Sequence, residues 1–160
     1  MTAMDAELLA GFTGFIPVGE LHTRMLESVP LDGGVYLVVL PSGVPRPAFL
    51  AVSSGGHFKG KDPSVSAQKL AHEWVDETRV LYVGSGACLR TRIAELICFA
   101  FGVPIGHWGG RLLWQLAERD AFLVAWKVIP DGKAKEVETE ILEAFRVGHA
   151  ERLPFANLKR

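Results

Sequence analysis

One acid, two phenols and a few cations are the residues of this chain whose placement could do chemistry. Along residues 134–147, at about 100° per residue, Ala134, Val137, Ile141, Ala144 and Phe145 form an apolar stripe that Leu142 widens. Glu136, Glu140 and Glu143 fall on the opposite side, but Glu138 lies between the angles of Phe145 and Leu142. A carboxylate aimed at the interior or at the rim of a cleft must gain a cation, a donor or a proton, because leaving it bare costs on the order of several kcal/mol. A functional cation and an ion pair with a neighbouring arginine meet that need equally well. The only tyrosines, Tyr36 and Tyr82, sit in apolar runs near glycine, where packing is the ordinary role of a strand tyrosine. Arg90 and Arg92 follow the second run; two residues apart on a helix they point about 200° away from each other, so at most one reaches a common site and the other is a solvated charge. Lys59, Lys61 and Arg111 are either phosphate contacts or surface charge; Arg111 follows Gly109-Gly110, a turn whose N–H groups suit an anion. His107, beside Trp108, is a substrate contact, a proton carrier or a packed ring.

These residues need a scaffold, and the pattern supplies one. Short helices are expected over Ala6–Leu9 and Gly19–Ser28, then the turn Pro30-Leu31-Asp32-Gly33-Gly34 leads into GVYLVVL, residues 34–40, apolar on both faces and so a strand covered on both sides. After the turn Pro41–Pro45, Ala48–Val52 reads as a strand paired back in a hairpin, residues 53–66 as a Gly/Ser/Lys loop and Ala67–Trp74 as a helix. Arg79–Gly84 is the third expected strand, Cys88–Phe101 a helix with the stripe Leu89, Ile93, Leu96, Ile97 and Ala100, and HWGGRLLWQL a glycine turn opening a short helix. Phe122–Val128 is the fourth strand, Ala134–Val147 the last helix and Leu153–Arg160 an extended tail. Few strands interleaved with helices indicate an α/β (α+β) domain with a small central sheet.

At 160 residues, 49% hydrophobic and 22% charged, the chain fits one packed domain, and disorder, collagen and coiled coil are excluded. No apolar run approaches the roughly 18 residues of a membrane span; Leu96–Ile105 is broken by Gly102 and Pro104. The acidic N-terminus MTAMDAELLAGF lacks the basic start of a secretory signal, which points to the cytoplasm. Cys88 and Cys98, ten positions apart on one helix and so about 15 Å from each other, cannot bridge and have no zinc-finger spacing. The net charge of −1 argues mildly against a nucleic-acid partner, although residues 81–160 carry 11 basic and 9 acidic side chains against 6 and 9 in residues 1–80, which permits a local basic cleft.

In order along the chain, these features resemble the GIY-YIG nuclease superfamily. Gly34-Val35-Tyr36 stands at the place of its first motif and Tyr82-Val83-Gly84 at the place of its second; Arg92 lies ten residues after Tyr82, Val137-Glu138-Thr139-Glu140-Ile141-Leu142 fits its glutamate pattern, and Pro154-Phe155-Ala156-Asn157 its closing P-x-x-N. The resemblance spans residues 33–160, behind a helical extension over 1–32. It implies a mainly antiparallel sheet flanked by helices, with an insertion over 41–78 that puts 45 residues between Tyr36 and Tyr82. Ser85 follows the second motif where many relatives have lysine. The implied activity is a metal-dependent endonuclease hydrolysing phosphodiester bonds, with DNA favoured and RNA open. Glu138 would hold a Mg²⁺ or Mn²⁺ ion, and Tyr36 would act as general base or orient the attacking water, its phenolate favoured by Arg92. Tyr82 would position water or phosphate, and Asn157 would tie the tail to the active-site wall.

Without a spare basic arm, weak and salt-sensitive DNA binding is expected, unless a second copy or a protein partner targets the chain. Two alternatives remain: a silent nucleic-acid-binding relative, and a Gly-loop nucleotide- or cofactor-binding protein suggested by VLYVGSGACL, whose two glycines lack the third of the fingerprint.

Overall fold

The computed structural model describes residues 2–158, without the side chains of Arg24 and Met25; Lys159 and Arg160, the end of the expected tail, lie outside the described residues. Helix α1 (Ala3–Leu9) is followed by strand β1 (Thr13–Pro17) and by α2 (Val18–Glu20), which continues through a π turn, Leu21–Met25, into a 3-10 turn, Leu26–Ser28. Then come β2 (Gly34–Val39), α3 (Ala67–Glu73), β3 (Val80–Gly86), α4 (Leu89–Ala100), a 3-10 helix over Trp108–Gln115, β4 (Leu123–Val128) and α5 (Ala134–Gly148). The fold is α+β: one four-stranded, wholly antiparallel sheet in the order β1-β4-β2-β3, flanked by helices. Among the described residues no helix is long and apolar enough to cross a membrane, and Cys88 and Cys98 are free thiols.

Strand β2 is buried along its whole length because both faces are covered. Tyr36 and Val38 face a core with Leu89, Ile93 and Leu96 of α4 and Trp114 of the 3-10 helix. Val35, Leu37 and Val39 face the other, with Val83 and Phe145. Residue alternation along β2 thus sends its side chains into two different layers. The outer edge of β3 meets the C-terminal tail: Ala156 N–H donates to Leu81 O at 2.9 Å, and the Asn157 side chain both accepts from Val83 N and donates to Val83 O, each at 2.9 Å. One side-chain amide therefore completes an edge that would otherwise expose its ladder groups.

Two local expectations change. Ala48–Val52 is not a hairpin strand; Phe49 makes a single bridge to Leu116. Pro41, Pro45 and Pro47 remove ladder donors just before it, and the buried Gln115 side chain instead clamps the segment. Its Nε2 donates to Leu50 O and Val65 O, and its Oε1 accepts from Val65 N. Conversely, residues 13–17 form an edge strand where no strand was expected. Thr13-Gly14-Phe15-Ile16-Pro17 carries a bulge between Gly14 and Ile16 and a positive φ of 52° at Phe15, irregularities that hide the period of two. α1 is held on by Asp5, whose buried carboxylate accepts from Thr78 Oγ1 at 2.7 Å and Arg79 N at 2.8 Å.

Candidate functional site

Both glycines beside the tyrosines have a steric cause. Gly84 lies across from Tyr36 in the β2–β3 register, and a Cβ there would sit 2.4 Å from Tyr36 Cζ. At Gly34 a Cβ would sit 2.2 Å from Lys127 O. The glycine of one strand thus makes room for the phenol of the next, and the Tyr36 and Tyr82 rings come to 6.1 Å centroid to centroid.

His107 joins them. Its Nε2 is 2.7 Å from the Tyr36 hydroxyl, and its ring stands edge-on to both tyrosines. All of His107 is buried, and burial, with Arg92 adding to the effect, pushes its pKa down to about 3, so the ring is neutral at ordinary pH. Nδ1 is buried without a hydrogen-bond partner. A bare acceptor costs less than a bare N–H, which favours the tautomer protonated at Nε2 and donating to Tyr36, whose own proton then goes to Tyr82. Arg92 supports the turn that carries His107: its Nη1 donates to Gly106 O at 2.7 Å and lies 3.7 Å from Glu95.

Tyr36 itself is wholly buried. Burial pushes its phenol well above the ordinary value, Tyr82 adds to the rise and Arg92 opposes it. In this arrangement Tyr36 reaches no solvent, and burial disfavours the phenolate that the expected base role would use. Tyr82 is nearly as buried, at 7% exposed, but it lines the wall of a cleft of about 740 Å³ between the β3 edge, α5, the 3-10 helix and the tail.

Tyr82, Glu138 and Asn157 meet on that wall, together with Arg111, Lys135 and Arg146. Glu138 is 7% exposed; its Oε2 accepts from Ser85 Oγ at 2.7 Å and from Lys135 Nζ at 2.9 Å. The cation on the inward acid is thus a lysine of its own helix, one turn back, rather than an arginine. Arg111 Nη1 donates to the Trp108 carbonyl, its guanidinium lies 4.7 Å from the Trp108 ring centre, and partial burial lowers its pKa. Arg146 is paired with Glu143 and Glu151.

Several expected contacts lie elsewhere. Arg90 is spent on backbone: its Nε donates to Val29 O and its Nη2 to Glu27 O. Lys59 and Lys61 sit on the exposed turn bridged by Phe58 and Lys61, and neither lines the cleft, although the adjacent Phe58 ring reaches Trp108 on its wall. Lys135 and Arg146 were not among the candidates. At 100° per residue they fall about 60° and 80° from Glu138, one helical stripe, and that periodicity is the signal that finds them.

Among the described residues no group of three His, Cys, Asp or Glu is arranged to hold a metal. Among the described residues Glu138 is the one carboxylate on the cleft wall, and the bonds from Ser85 and Lys135 both fall on its Oε2. A hydrated Mg²⁺ needs one or two carboxylates besides the substrate's phosphate. The Lys135 side chain is 66% exposed and can turn away. The donor set therefore fits such an ion with a single protein ligand. Compared with protein-family models, curated proteins and solved structures, the chain matches none. What the cleft can do follows from its own residues.

Proposed function

We propose that the chain is a metal-dependent endonuclease that hydrolyses phosphodiester bonds in DNA, working in the cleft lined by Tyr82, Glu138 and Asn157. The observation that carries this reading is the meeting of one buried carboxylate, one cleft-lining phenol and three cations on a single wall, from three segments spread between Tyr82 and Arg146. Resemblance to the GIY-YIG pattern names Tyr82, Glu138 and Asn157 of this wall, and none of its three cations.

Phosphodiester hydrolysis needs an in-line water, charge compensation on the non-bridging oxygens and a stabilised leaving oxygen. Arg111 and Arg146 supply cationic donors for the phosphate, Arg111 through its planar fork. The Tyr82 hydroxyl orients water or a phosphate oxygen. Tyr36 and His107 hold that hydroxyl from behind, and Arg92 fixes the turn beneath them. Asn157, locked onto Val83, keeps the tail in place as the far wall. Glu138 would be the ligand of a Mg²⁺ or Mn²⁺ ion, with Lys135 leaving it as the ion binds. Such an ion, when bound, acts as a Lewis acid and lowers the pKa of its water.

A second reading keeps the cleft without turnover: the Lys135–Glu138 pair and the buried Tyr36 suit a silent nucleic-acid binder. The Gly-loop cofactor reading loses its basis, since the sheet is antiparallel with no parallel crossover and Gly84 and Gly86 are filled by Tyr36 and the Arg92 stem. Purified protein on supercoiled plasmid separates the first two. The nuclease reading predicts nicking with Mg²⁺ or Mn²⁺ that EDTA abolishes, whereas DNA binding with intact plasmid under all conditions leaves the silent binder.

A further inference from the structure

The catalytic cleft does not end at Asn157. Past Arg111, Leu153 and Leu158, which line both, it adjoins a second hollow of about 420 Å³ that adds Lys69 and Arg152. The walls of the two carry five Lys and Arg side chains (Lys69, Arg111, Lys135, Arg146, Arg152) against three carboxylates (Glu73, Glu138, Glu151), on a chain whose net charge is −1. That local excess, against the sign of the whole, favours a polyanion in this trough over the rest of the surface.

The trough is not only basic. Trp108, Leu142, Leu153 and Leu158 form an apolar flank facing the same space. A duplex keeps its bases inside and presents phosphates, so it has no use for such a flank; an unpaired strand has bases to bury. Arg111 is the pivot because it borders both hollows. Its guanidinium is held over the Trp108 ring and pinned to the Trp108 carbonyl, and among the described residues no carboxylate is within ion-pair distance of it. Lys69, Lys135 and Arg146, by contrast, each hold an acid. A guanidinium plane fixed in advance on an aromatic ring is a stacking platform for an exposed base.

We infer that the trough accepts an unpaired DNA strand in preference to a duplex, with one base stacked on the Arg111–Trp108 pair and the backbone running from Lys135 toward Lys69 and Arg152. The inference deepens the nuclease reading of this cleft and rests on it for the polymer. It is tested by fluorescence anisotropy with the parent protein in EDTA, using a labelled DNA strand of about ten nucleotides and a hairpin duplex of equal length. The strand is expected to bind at least about tenfold tighter than the duplex. Arg111→Lys, which keeps the charge and loses the plane, should weaken strand binding about tenfold and duplex binding by no more than about threefold, the loss of its phosphate fork alone. Trp108→Leu should do the same, with melting temperatures reporting that each variant is folded. Equal or tighter duplex binding, an Arg111→Lys protein that binds the strand as the parent does, or no binding of either DNA overturns the inference. Since no divalent ion is present, retained strand preference in a protein that never cuts plasmid would remove the nuclease reading and leave this one standing.

Discussion

The two faces of the sheet are built on different principles. Under α5 the layer of Val35, Leu37, Val39, Val83 and Phe145 is apolar throughout. Under α4 and the 3-10 helix the layer is larger and richer in aromatic side chains, but two phenols and a neutral imidazole lie among them, and Gln115 is buried nearby. The first face contributes cohesion through surface removed from water. The second gives up some of that cohesion to orient polar groups, which the low-dielectric interior makes strong when paired and costly when not. Glu138 is where they meet: it belongs to the apolar helix, yet its carboxylate reaches the cleft on whose wall Tyr82 lies.

Perturbing each face in turn breaks or sharpens that contrast. Phe145→Ala, in the apolar layer, should cost about 3–5 kcal/mol by denaturant unfolding, while the folded fraction keeps its turnover per active molecule; a fall in turnover beyond the loss of folded protein would show that the faces are not separable.

Acid should act on the polar face. His107 titrates near 6.5 when unfolded and at about 3 when folded, so the unfolded state binds the extra proton between those values. The stability this ring contributes is complete above pH 6.5 and declines as pH falls toward 3, by about 2 kcal/mol between pH 7 and 5. Measured over that interval, His107→Gln should lack this slope; an identical slope in the variant would mean that the ring is not held neutral.

Tyr36→Phe is expected to cost a similar amount, about 1–3 kcal/mol, because it leaves His107 Nε2 without its partner. It should also reduce kcat while leaving KM near the parent value, since Tyr36 lies behind the cleft rather than in it. Absorbance titration adds a mild check: the Tyr36 phenol, raised by burial, should stay protonated above pH 10 until the protein unfolds, so that stability falls as alkaline pH rises.

Much of this scaffold can be read from the chain. β2, β3, β4, α4 and α5 lie within two residues of their expected bounds, because each is a long run with a clear period, and the helical stripe that excludes Glu140 and Glu143 leaves Glu138 inward. What could not be read depends on distant partners. β1 is irregular and takes its strand form from pairing with β4. The segment before α3 is shaped by a glutamine fifty residues downstream of Val65. That Tyr82 lines the cleft while Tyr36 is sealed behind it against His107 is an arrangement no local pattern encodes. Lys135 on Glu138 was within reach of the helical geometry that singled out the acid.

The account depends most on Glu138 as the acid of the cleft, and single-turnover cleavage of plasmid with Mg²⁺ tests it against its neighbour on the same helix. Glu138→Ala should lower the rate by about 10²–10⁴-fold, while the exposed Glu140→Ala stays within about twofold of the parent. Equal rates for Glu138→Ala and the parent, or equal losses for both variants, would contradict it.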